Sequence, residues 1–474
     1  MNNTIESLTG RDTLETDMIL KWENLYRPYK KNTNAYVENQ KKFESNARTY
    51  PRNFEIAIAR AEGIYIEDTL GNIYLDCLSG AGALALGHNH PVIIKAIQKS
   101  IDDKLPLLTL DLTTPTKDKF IHTLLSILPN GIKDTCKIQF CSPCGTDAVE
   151  AALKLVKTAT GRKGIFSFTG AYHGMTHGTL GLMGNNNPKK AIPNLMKDVT
   201  FLPFPYHYRC PFGIGGREAE DISLNYIKSI LEDSHSGVEK PAAFILETIQ
   251  GEGGSIPASD YWIQGIRALT FEYDIPLIID EIQSGIGRTG NMFSFESSGI
   301  VPDVIVISKA IGGSLPLSMI VYQEKLDNWL PGAHAGTFRG NQLAMATGQA
   351  VLEFIINNNL LENVREKNKF FLGEFEKLKS NYPFIGEVRG KGLMIGLEIV
   401  DTSVRPNILG SYPPNPNLAK KIQEDCFING LIIETGGRKD CVLRLLPPLN
   451  ISDYEAEQVI KIIKKVFINI SQNN

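Results

Sequence analysis

Apolar and polar residues follow two different rhythms along the chain, and the rhythm changes near residue 90. Before that point, the stretch IAIARAEGIYIEDTLGNIYLDCL alternates apolar and polar residues across two turn signals, which predicts a small antiparallel meander. After it, stretches with helical periodicity alternate with short apolar strands. This order is typical of an α/β fold with a wound, mostly parallel sheet.

The pattern changes again toward the C-terminus. Two long helical patterns are followed by a strand-like stretch, a loop rich in proline and asparagine, and a closing helix. We therefore predict three parts: residues 1–88 with a polar, partly helical lead-in and the meander, residues 89–345 as a large domain, and residues 346–474 as a smaller α+β domain.

A lysine follows the apolar run in VPDVIVISKAIGGSLPLS, which spans residues 301–318. Its four β-branched residues predict a strand buried on both faces of a parallel sheet, with Lys309 at the carboxyl end. Ligands bind at that edge of open α/β sheets. The alternative is a lysine whose ammonium group simply reaches solvent beyond a strand end.

An acid pair ends another predicted strand, in PLIIDEIQSG, where Asp280 and Glu281 follow the apolar residues. The sequence thus predicts an acid and Lys309 at neighbouring strand ends. A carboxylate facing a ring nitrogen keeps that nitrogen protonated, because an opposite charge favours the charged form. The alternative is one acid that caps a helix and another that faces solvent.

Two further loops follow predicted strands. In CSPCGTDAVEAALKLVKTA, small residues from Ser142 to Thr146 precede an amphipathic helix, whose first N–H groups are suited to phosphate. An ordinary helix cap is the alternative, and the single C-x-x-C pair does not favour a metal site. In GAYHGMTHG, Tyr172 and His173 follow a strand, where an aromatic ring is placed to stack on a flat cofactor or to pack in the core.

The segment from Gly285 to Gly290 matches the G-x-G-x-x-G pattern of nicotinamide-binding enzymes. In those enzymes the third glycine opens a helix. Here the stretch NMFSFESSGIVP follows, and it has no helical periodicity. The pattern therefore does not favour a nicotinamide cofactor.

Composition excludes several classes of partner. The 49 lysines and arginines nearly balance the 52 aspartates and glutamates, and no dense basic run occurs, so we expect neither nucleic acid nor a membrane surface as partner. No stretch of eighteen apolar residues occurs, and the first thirty residues lack a signal-peptide core. Seven scattered cysteines indicate reduced thiols, which predicts a cytoplasmic protein.

The lysine, the acid and the phosphate-binding loop together meet the needs of one cofactor, pyridoxal 5′-phosphate, which has an aldehyde, a ring nitrogen and a phosphate. From about residue 45 to the C-terminus, the chain resembles the class III (omega) aminotransferases of pyridoxal-phosphate fold type I. The stretches that carry this resemblance occur in the family's order: LDCLSGAGALALGHNHP, AYHGMT, ILETIQGEGG, IIDEIQSGIGRTG, ISKAIGGSLPLS, GTFRGNQLA and VLRLLPPL.

The resemblance implies a role for each residue that matches a family motif. Lys309 would bond the aldehyde carbon of the cofactor and, once released, carry a proton, while Asp280 would pair with the ring nitrogen. Arg444 would bind the α-carboxylate of glutamate or 2-oxoglutarate, and Glu252 would neutralise this arginine when an amine substrate is bound.

The resemblance also implies the remaining contacts and a homodimer with shared active sites. Cofactor contacts are expected from Gly145, Thr146, Tyr172, His173, Glu247 and Gln283, and from Thr337 of the other subunit. Tyr50 and Ala81 are expected to contact the substrate, and no residue is expected to bind a metal ion.

The substrates implied by the resemblance are small amino and keto acids. The stretches DLTTPTKDKF, YRCPFGIGG and HAGTFRGNQLAMATG are most similar to members that transfer the terminal amine of L-2,4-diaminobutyrate to 2-oxoglutarate. Met175 stands where ornithine-specific members have an arginine, and Ala81 stands where they have a tyrosine, so the residue that holds the second carboxylate stays open. Ornithine, 4-aminobutyrate and lysine are the alternative donors, and a mutase or racemase that uses the same lysine is an alternative reaction.

Overall fold

A seven-stranded sheet forms the centre of the structure, which is a computed structural model that describes residues 34–472. The strands within these residues are β1 Ile58–Glu62, β2 Tyr65–Asp68, β3 Ile73–Asp76, β4 Cys136–Phe140, β5 Ile165–Phe168, β6 Val199–Leu202, β7 Ala243–Leu246, β8 Ile249–Gln250, β9 Ile256–Pro257, β10 Leu277–Asp280, β11 Val304–Ile307, β12 Met319–Gln323, β13 Ile385–Lys391, β14 Met394–Ile399, β15 Leu431–Ile432, β16 Glu434–Gly436 and β17 Val442–Leu445.

The α-helices within the same residues surround this sheet and extend to the end of the described chain. They are α1 Ala35–Phe43, α2 Ser79–Gly82, α3 Pro91–Asp102, α4 Pro115–Ile127, α5 Gly145–Thr160, α6 His177–Leu182, α7 Gly216–Glu232, α8 Asp260–Glu272, α9 Gln342–Asn357, α10 Leu360–Asn381, α11 Pro416–Ile428 and α12 Asp453–Gln472.

The central sheet has the strand order β4-β12-β11-β10-β7-β5-β6. Strand β12 runs antiparallel to both of its neighbours, and the other four pairings are parallel. Strand β11 is buried along its whole length because both faces of the sheet are covered. Val306 packs in a core with residues of α5, whereas Ile305 belongs to the larger core on the other face. The predicted α/β class with a mostly parallel wound sheet is confirmed.

The predicted N-terminal meander is also present, since β1, β2 and β3 pair antiparallel in this order. Strand β15 from the C-terminal region adds a parallel pairing to β3, with Leu431 opposite Leu75. The sequence pattern did not predict this pairing, because a two-residue strand carries no periodicity. The three-part division at residues 88 and 345 stays a prediction.

The C-terminal part contains a separate antiparallel sheet with the order β13-β14-β17-β16. Glu434 on β16 lies directly opposite Arg444 on β17 in this sheet. Helix α10 contributes Phe371 and Phe375 to the same core as Ile395 of β14. This α+β arrangement agrees with the prediction for the last part of the chain.

Several elements differ from the prediction or extend it. Helices α7 and α11 were not predicted, and of the predicted helical lead-in only α1 falls within the described residues, because residues 1–33 lie outside them. The loop from Gly285 to Gly290 leads into a short 3₁₀ helix at Ser294–Ser298 rather than an α-helix, which agrees with the missing helical periodicity in that stretch. Among the described helices, none has the length and apolar character needed to cross a membrane.

Candidate active site

Lys309 and Asp280 lie at the same edge of the central sheet. Strands β10 and β11 are parallel, and Asp280 is paired with Val306, so the chain reaches Lys309 three residues beyond that pair. Lys309 has a φ of +52°, a left-handed conformation that is strained for a residue with a side chain. The hydroxyl of Ser308 donates a hydrogen bond of 2.9 Å to the carbonyl oxygen of Leu317, which fixes the turn in front of the lysine.

Asp280 is held by two contacts and is only 4% exposed. Its Oδ2 lies 2.8 Å from Nδ1 of His173, and its Oδ1 accepts a hydrogen bond of 3.0 Å from the N–H of Ile282. His173 is itself 1% exposed. The histidine that the sequence placed at the cofactor therefore orients the acid, and Asp280 presents a fixed carboxylate to the cavity.

The amine of Lys309 lies in a strongly desolvated position. Burial lowers the pKa of Lys309 below its usual value, although the negative charge of Glu252 opposes this effect. A lysine with a lowered pKa is more often unprotonated at neutral pH, and the unprotonated amine is the nucleophile. The position is therefore suited to covalent chemistry with a carbonyl group.

Helix α5 begins at the same sheet edge with Gly145 and Thr146. The N-cap residue, Cys144, makes no side-chain capping hydrogen bond. The Oγ1 of Thr146 lies 2.7 Å from the hydroxyl oxygens of Thr176 and Thr179. A Cβ at Gly145 would lie 2.8 Å from the Cδ1 of Ile282, so a larger residue here would displace that side chain. The uncapped helix start and its hydroxyl groups form a suitable site for a phosphate.

A small cluster of possible metal ligands lies beside this helix start. Within residues 34–472, Cys141, Asp147 and His334 place one possible ligand atom each within 4.8 Å of one another. Burial raises the pKa of the Cys141 thiol well above its usual value, and Asp147 already accepts a hydrogen bond of 2.7 Å from the N–H of Ser142. Nε2 of His334 also lies 3.1 Å from Oδ2 of Asp147, so two of the three side chains are in contact with each other.

Tyr172 and Glu247 are joined across neighbouring strand ends. The N–H of Tyr172 donates a hydrogen bond of 3.0 Å to Oε1 of Glu247, and the N–H of Gly251 donates one of 2.9 Å to Oε2. Burial raises the pKa of Glu247 to about 7, against the effect of His173, which lowers it. Glu247 thus fixes the loop that carries Tyr172 over the cavity.

Gln283 links the N-terminal part of the chain to the C-terminal sheet. Its Nε2 donates a hydrogen bond of 3.1 Å to the carbonyl oxygen of Ala81, and its Oε1 accepts one of 3.3 Å from Nη2 of Arg444. Ala81 has a φ of +57°, so the backbone of its loop is turned toward this amide.

Arg444 lies between two carboxylates and is 1% exposed. Its Nη2 donates a hydrogen bond of 3.0 Å to Oε1 of Glu252, and its Nη1 lies 3.2 Å from Oε2 of Glu434. Burial works against the charged form of Glu252, but Arg444 outweighs that effect and holds the pKa of Glu252 below its usual value. Glu434 was not among the site residues predicted from the sequence. Its position opposite Arg444 would have pointed to it, but that position depends on the register between β16 and β17, which no local sequence pattern shows.

These side chains surround a cavity of about 540 Å³. The predicted site residues that line it are Tyr50, Ala81, Gly145, Thr146, Tyr172, His173, Glu247, Glu252, Asp280, Gln283 and Lys309. Met175 and Glu434 line it as well. Arg444 lies behind Glu252 and Glu434, and Thr337 is exposed and does not line the cavity of its own chain.

Comparison with known proteins identifies the family. Residues 46–467 match the family model described as aminotransferase class-III. This chain belongs to the class III aminotransferases. The diaminobutyrate–2-oxoglutarate aminotransferase of Rhizobium meliloti is 53% identical over 90% of both chains, and that of Haemophilus influenzae is 49% identical over 92% of this chain and 95% of its own.

Solved structures give the same fold for this class III aminotransferase. An (S)-enantioselective omega-transaminase from Thermomicrobium roseum superimposes with a TM-score of 0.82 at 25% identity, and the match covers 93% of this chain and all of that one. An amine transaminase from an uncultivated Pseudomonas species, in a form bound to pyridoxal phosphate, gives a TM-score of 0.80 at 25% identity over 93% and 99% of the chains. The predicted fold type is therefore confirmed.

The residues of the aminotransferase cavity fit pyridoxal phosphate. Lys309 supplies a buried amine with a lowered pKa, Asp280 supplies a fixed carboxylate, and the start of α5 supplies uncapped N–H groups. When bound, the cofactor provides an aldehyde that takes up an amine and a ring that accepts electrons. The three features meet the amine, ring-nitrogen and phosphate requirements of one molecule.

Replacing Asp280 with asparagine should weaken retention of the cofactor and lower kcat by about 10²- to 10³-fold, because a charged partner is lost while the shape is kept. Dialysis followed by cofactor absorbance measures retention, and initial rates measure kcat. Glu281→Gln is the matched control, because Glu281 is fully buried and its Oε1 accepts its bonds from Ser294 and Phe295. Wild-type retention and turnover in Asp280→Asn would show that another acid serves the ring.

Proposed function

We propose that this enzyme transfers the terminal amine of L-2,4-diaminobutyrate to 2-oxoglutarate, giving aspartate 4-semialdehyde and glutamate, in a reversible ping-pong reaction that uses pyridoxal phosphate. The observation that carries the proposal is the placement of Lys309 and Asp280 at one cavity in a chain 53% identical to a diaminobutyrate–2-oxoglutarate aminotransferase. The second half of the reaction restores the starting enzyme, because the acceptor takes up the amine that the donor has left.

In this proposal Lys309 has two tasks. With the cofactor bound, its amine would hold the aldehyde carbon and would be released when the substrate's amine takes its place. The released lysine then moves a proton away from the substrate carbon that bears the reacting nitrogen, for which its lowered pKa is suited. Asp280 would keep the ring nitrogen of the bound cofactor protonated, since His173 and the N–H of Ile282 hold its carboxylate in place.

Arg444 serves the acceptor half of the reaction. A guanidinium group binds a carboxylate through two parallel hydrogen bonds, which suits the α-carboxylate of 2-oxoglutarate. In the described structure, Nη2 of this arginine donates a hydrogen bond of 3.0 Å to Oε1 of Glu252. Glu252 has to give way when a keto acid binds, and it covers the arginine again when an amine donor binds.

The donor preference follows from the relatives and not from the cavity lining. Met175 lines the cavity at the position where ornithine-specific members have an arginine. Among the described residues that line this cavity, Lys309 is the only lysine or arginine. Because every amino acid donor named here carries a carboxylate, this lining does not separate diaminobutyrate from ornithine, and the preference for diaminobutyrate rests on the relatives.

The donor test compares kcat/KM for L-2,4-diaminobutyrate, ornithine, lysine, 4-aminobutyrate and β-alanine at one concentration of 2-oxoglutarate. Diaminobutyrate should be preferred over ornithine by about 10- to 200-fold, the range that one methylene group can supply. If ornithine or 4-aminobutyrate exceeds diaminobutyrate by tenfold or more, the substrate assignment is wrong. The transaminase reaction with that other amine would then stand in its place.

We also propose that the enzyme acts as a homodimer with shared active sites in the cytoplasm. The seven cysteines are free thiols, which suits a reducing compartment. A contiguous apolar surface supports the dimer, because exposed patches of this kind mark protein interfaces. We call it the leucine surface, and it consists of the exposed residues Leu107, Leu108, Leu110, Leu112 and Phe338. Backbone hydrogen bonds join its two segments, from Thr109 to Gly340 and from Gln342 to Leu107.

Thr337 lies next to the leucine surface and, in this proposal, contacts the phosphate bound by the other subunit. Thr337→Ala should therefore weaken cofactor binding, and mixing it with Lys309→Ala should restore wild-type affinity in half of the sites of the heterodimers. In those dimers the subunit that keeps Lys309 receives an intact Thr337 from its partner. Titration of cofactor absorbance measures the affinity, with each variant alone as the control. An absence of recovery would show that Thr337 acts within its own chain.

A further inference from the structure

Glu434 is a partly buried acid of the cavity wall to which the proposed reaction gives no task. Its side chain is 12% exposed, and the residue lines the cavity together with Tyr50 and Glu252. The antiparallel pairing of β16 with β17 places it opposite Arg444, so its position is fixed by backbone hydrogen bonds and not by a flexible loop. A charge that is held this rigidly at a cavity wall is suited to recognising one group of a ligand.

One oxygen of Glu434 lacks a hydrogen-bond partner. Its Oε2 lies 3.2 Å from Nη1 of Arg444, but neither atom has a hydrogen-bond partner among the described residues, so the pair is an ionic contact without hydrogen-bond geometry. Glu252, in contrast, is engaged by Nη2 of Arg444 at 3.0 Å. Of the two acids beside this arginine, Glu252 is bound to it by a hydrogen bond, whereas Glu434 makes only an ionic contact with it.

The wall around Glu434 presents negative charge to the cavity. The side chain of Arg444 is fully covered, whereas Glu252 and Glu434 both line the cavity in front of it. Two carboxylates thus face the ligand, and the one guanidinium that balances them lies behind. A ligand group with a positive charge gains from this arrangement, and an ammonium group that leaves water needs a paired acid.

The proposed donor carries such a group. L-2,4-diaminobutyrate has an α-ammonium group, and three carbons separate its two nitrogens. When the terminal nitrogen reacts beside Lys309, the α-ammonium points away from the lysine into the same cavity. 4-Aminobutyrate has the same carbon chain, carboxylate and terminal amine, and it lacks only the α-amino group.

We propose that Glu434 binds the α-ammonium group of the diamino acid donor and thereby selects it over an ω-amino acid of the same length. This inference rests on the proposed diaminobutyrate reaction. Glu434 is a specificity residue of the donor half, and Arg444 behind it serves the acceptor half. The same small region of wall therefore meets an ammonium group in one half-reaction and a carboxylate in the other.

The ionisation of Glu434 gives the selection a pH dependence. Burial raises the pKa of Glu434 to about 6, Arg444 and Lys309 lower it, and Glu252 raises it further. These charged groups, together with the phenol of Tyr50, face Glu434 from the other elements around the cavity. The Glu434 side chain is a negatively charged carboxylate above about pH 6, and it loses this charge as the pH falls through that value. Preference for diaminobutyrate over 4-aminobutyrate should thus be full above pH 6 and decline below it.

The test is the ratio of kcat/KM for diaminobutyrate to kcat/KM for 4-aminobutyrate, measured from pH 5.5 to 8 with the holoenzyme of the wild type and of Glu434→Gln. Above pH 6 the ratio should fall by about 10- to 100-fold in Glu434→Gln, because a charge-assisted hydrogen bond to the donor is lost. The pH dependence of the ratio should disappear in this variant. Glu434→Asp keeps the charge and should recover part of the ratio.

The outcomes separate this inference from the proposed function. An equal loss for both substrates in Glu434→Gln would mean that Glu434 only positions Arg444, and the inference would be wrong. A wild type that prefers diaminobutyrate, with an unchanged ratio in the variant, would overturn this inference alone. A wild type without that preference would overturn the proposed donor and the inference with it. If Glu434→Gln does not fold, Glu434→Asp takes its place, and a wild-type ratio in Glu434→Asp, whose carboxylate is drawn back by one methylene group, overturns the inference.

Discussion

The parallel register of β10 and β11 is the constraint on which the active site depends. Because Asp280 pairs with Val306, the two strands end at one edge of the sheet, and the residues beyond them face a common cavity. Side chains alternate between the two faces of a strand, so a shift of one residue would exchange Asp280 for Glu281. Glu281 is bound instead to Ser294 on the opposite side, where it has no access to the cavity.

A second constraint is electrostatic, since the proposed reaction brings both an amine donor and a dicarboxylate to the same wall. The structure resolves this conflict by covering Arg444 with two acids. Burying an arginine together with its counter-charges costs less than burying it alone, so the covered state is stable without a ligand. A keto acid gains from displacing Glu252, whereas an amine donor meets the acids as they stand. Both half-reactions can thus use one fixed guanidinium.

The sequence predicted those parts of the site that depend on single strands and loops. Lys309, Asp280 and the start of α5 follow from strand ends and a helix start, which are local patterns. The pairing of Glu434 with Arg444 was missed, because cross-strand partners depend on a register that is set by the whole sheet. His173 was expected at the cofactor, and the structure shows that it contacts Asp280. The two residues are 107 positions apart, and no sequence pattern indicates a contact over that distance.

The central claim is that Lys309 is the residue that bonds pyridoxal phosphate. Reduction of the holoenzyme with borohydride, followed by proteolysis and mass spectrometry of the peptides, tests it directly because reduction fixes the cofactor to the lysine that holds it. We expect a phosphopyridoxyl group on the peptide that contains Lys309, and loss of this label when the cofactor is removed before reduction. A label on another lysine, or a holoenzyme that takes up no label, would contradict the account.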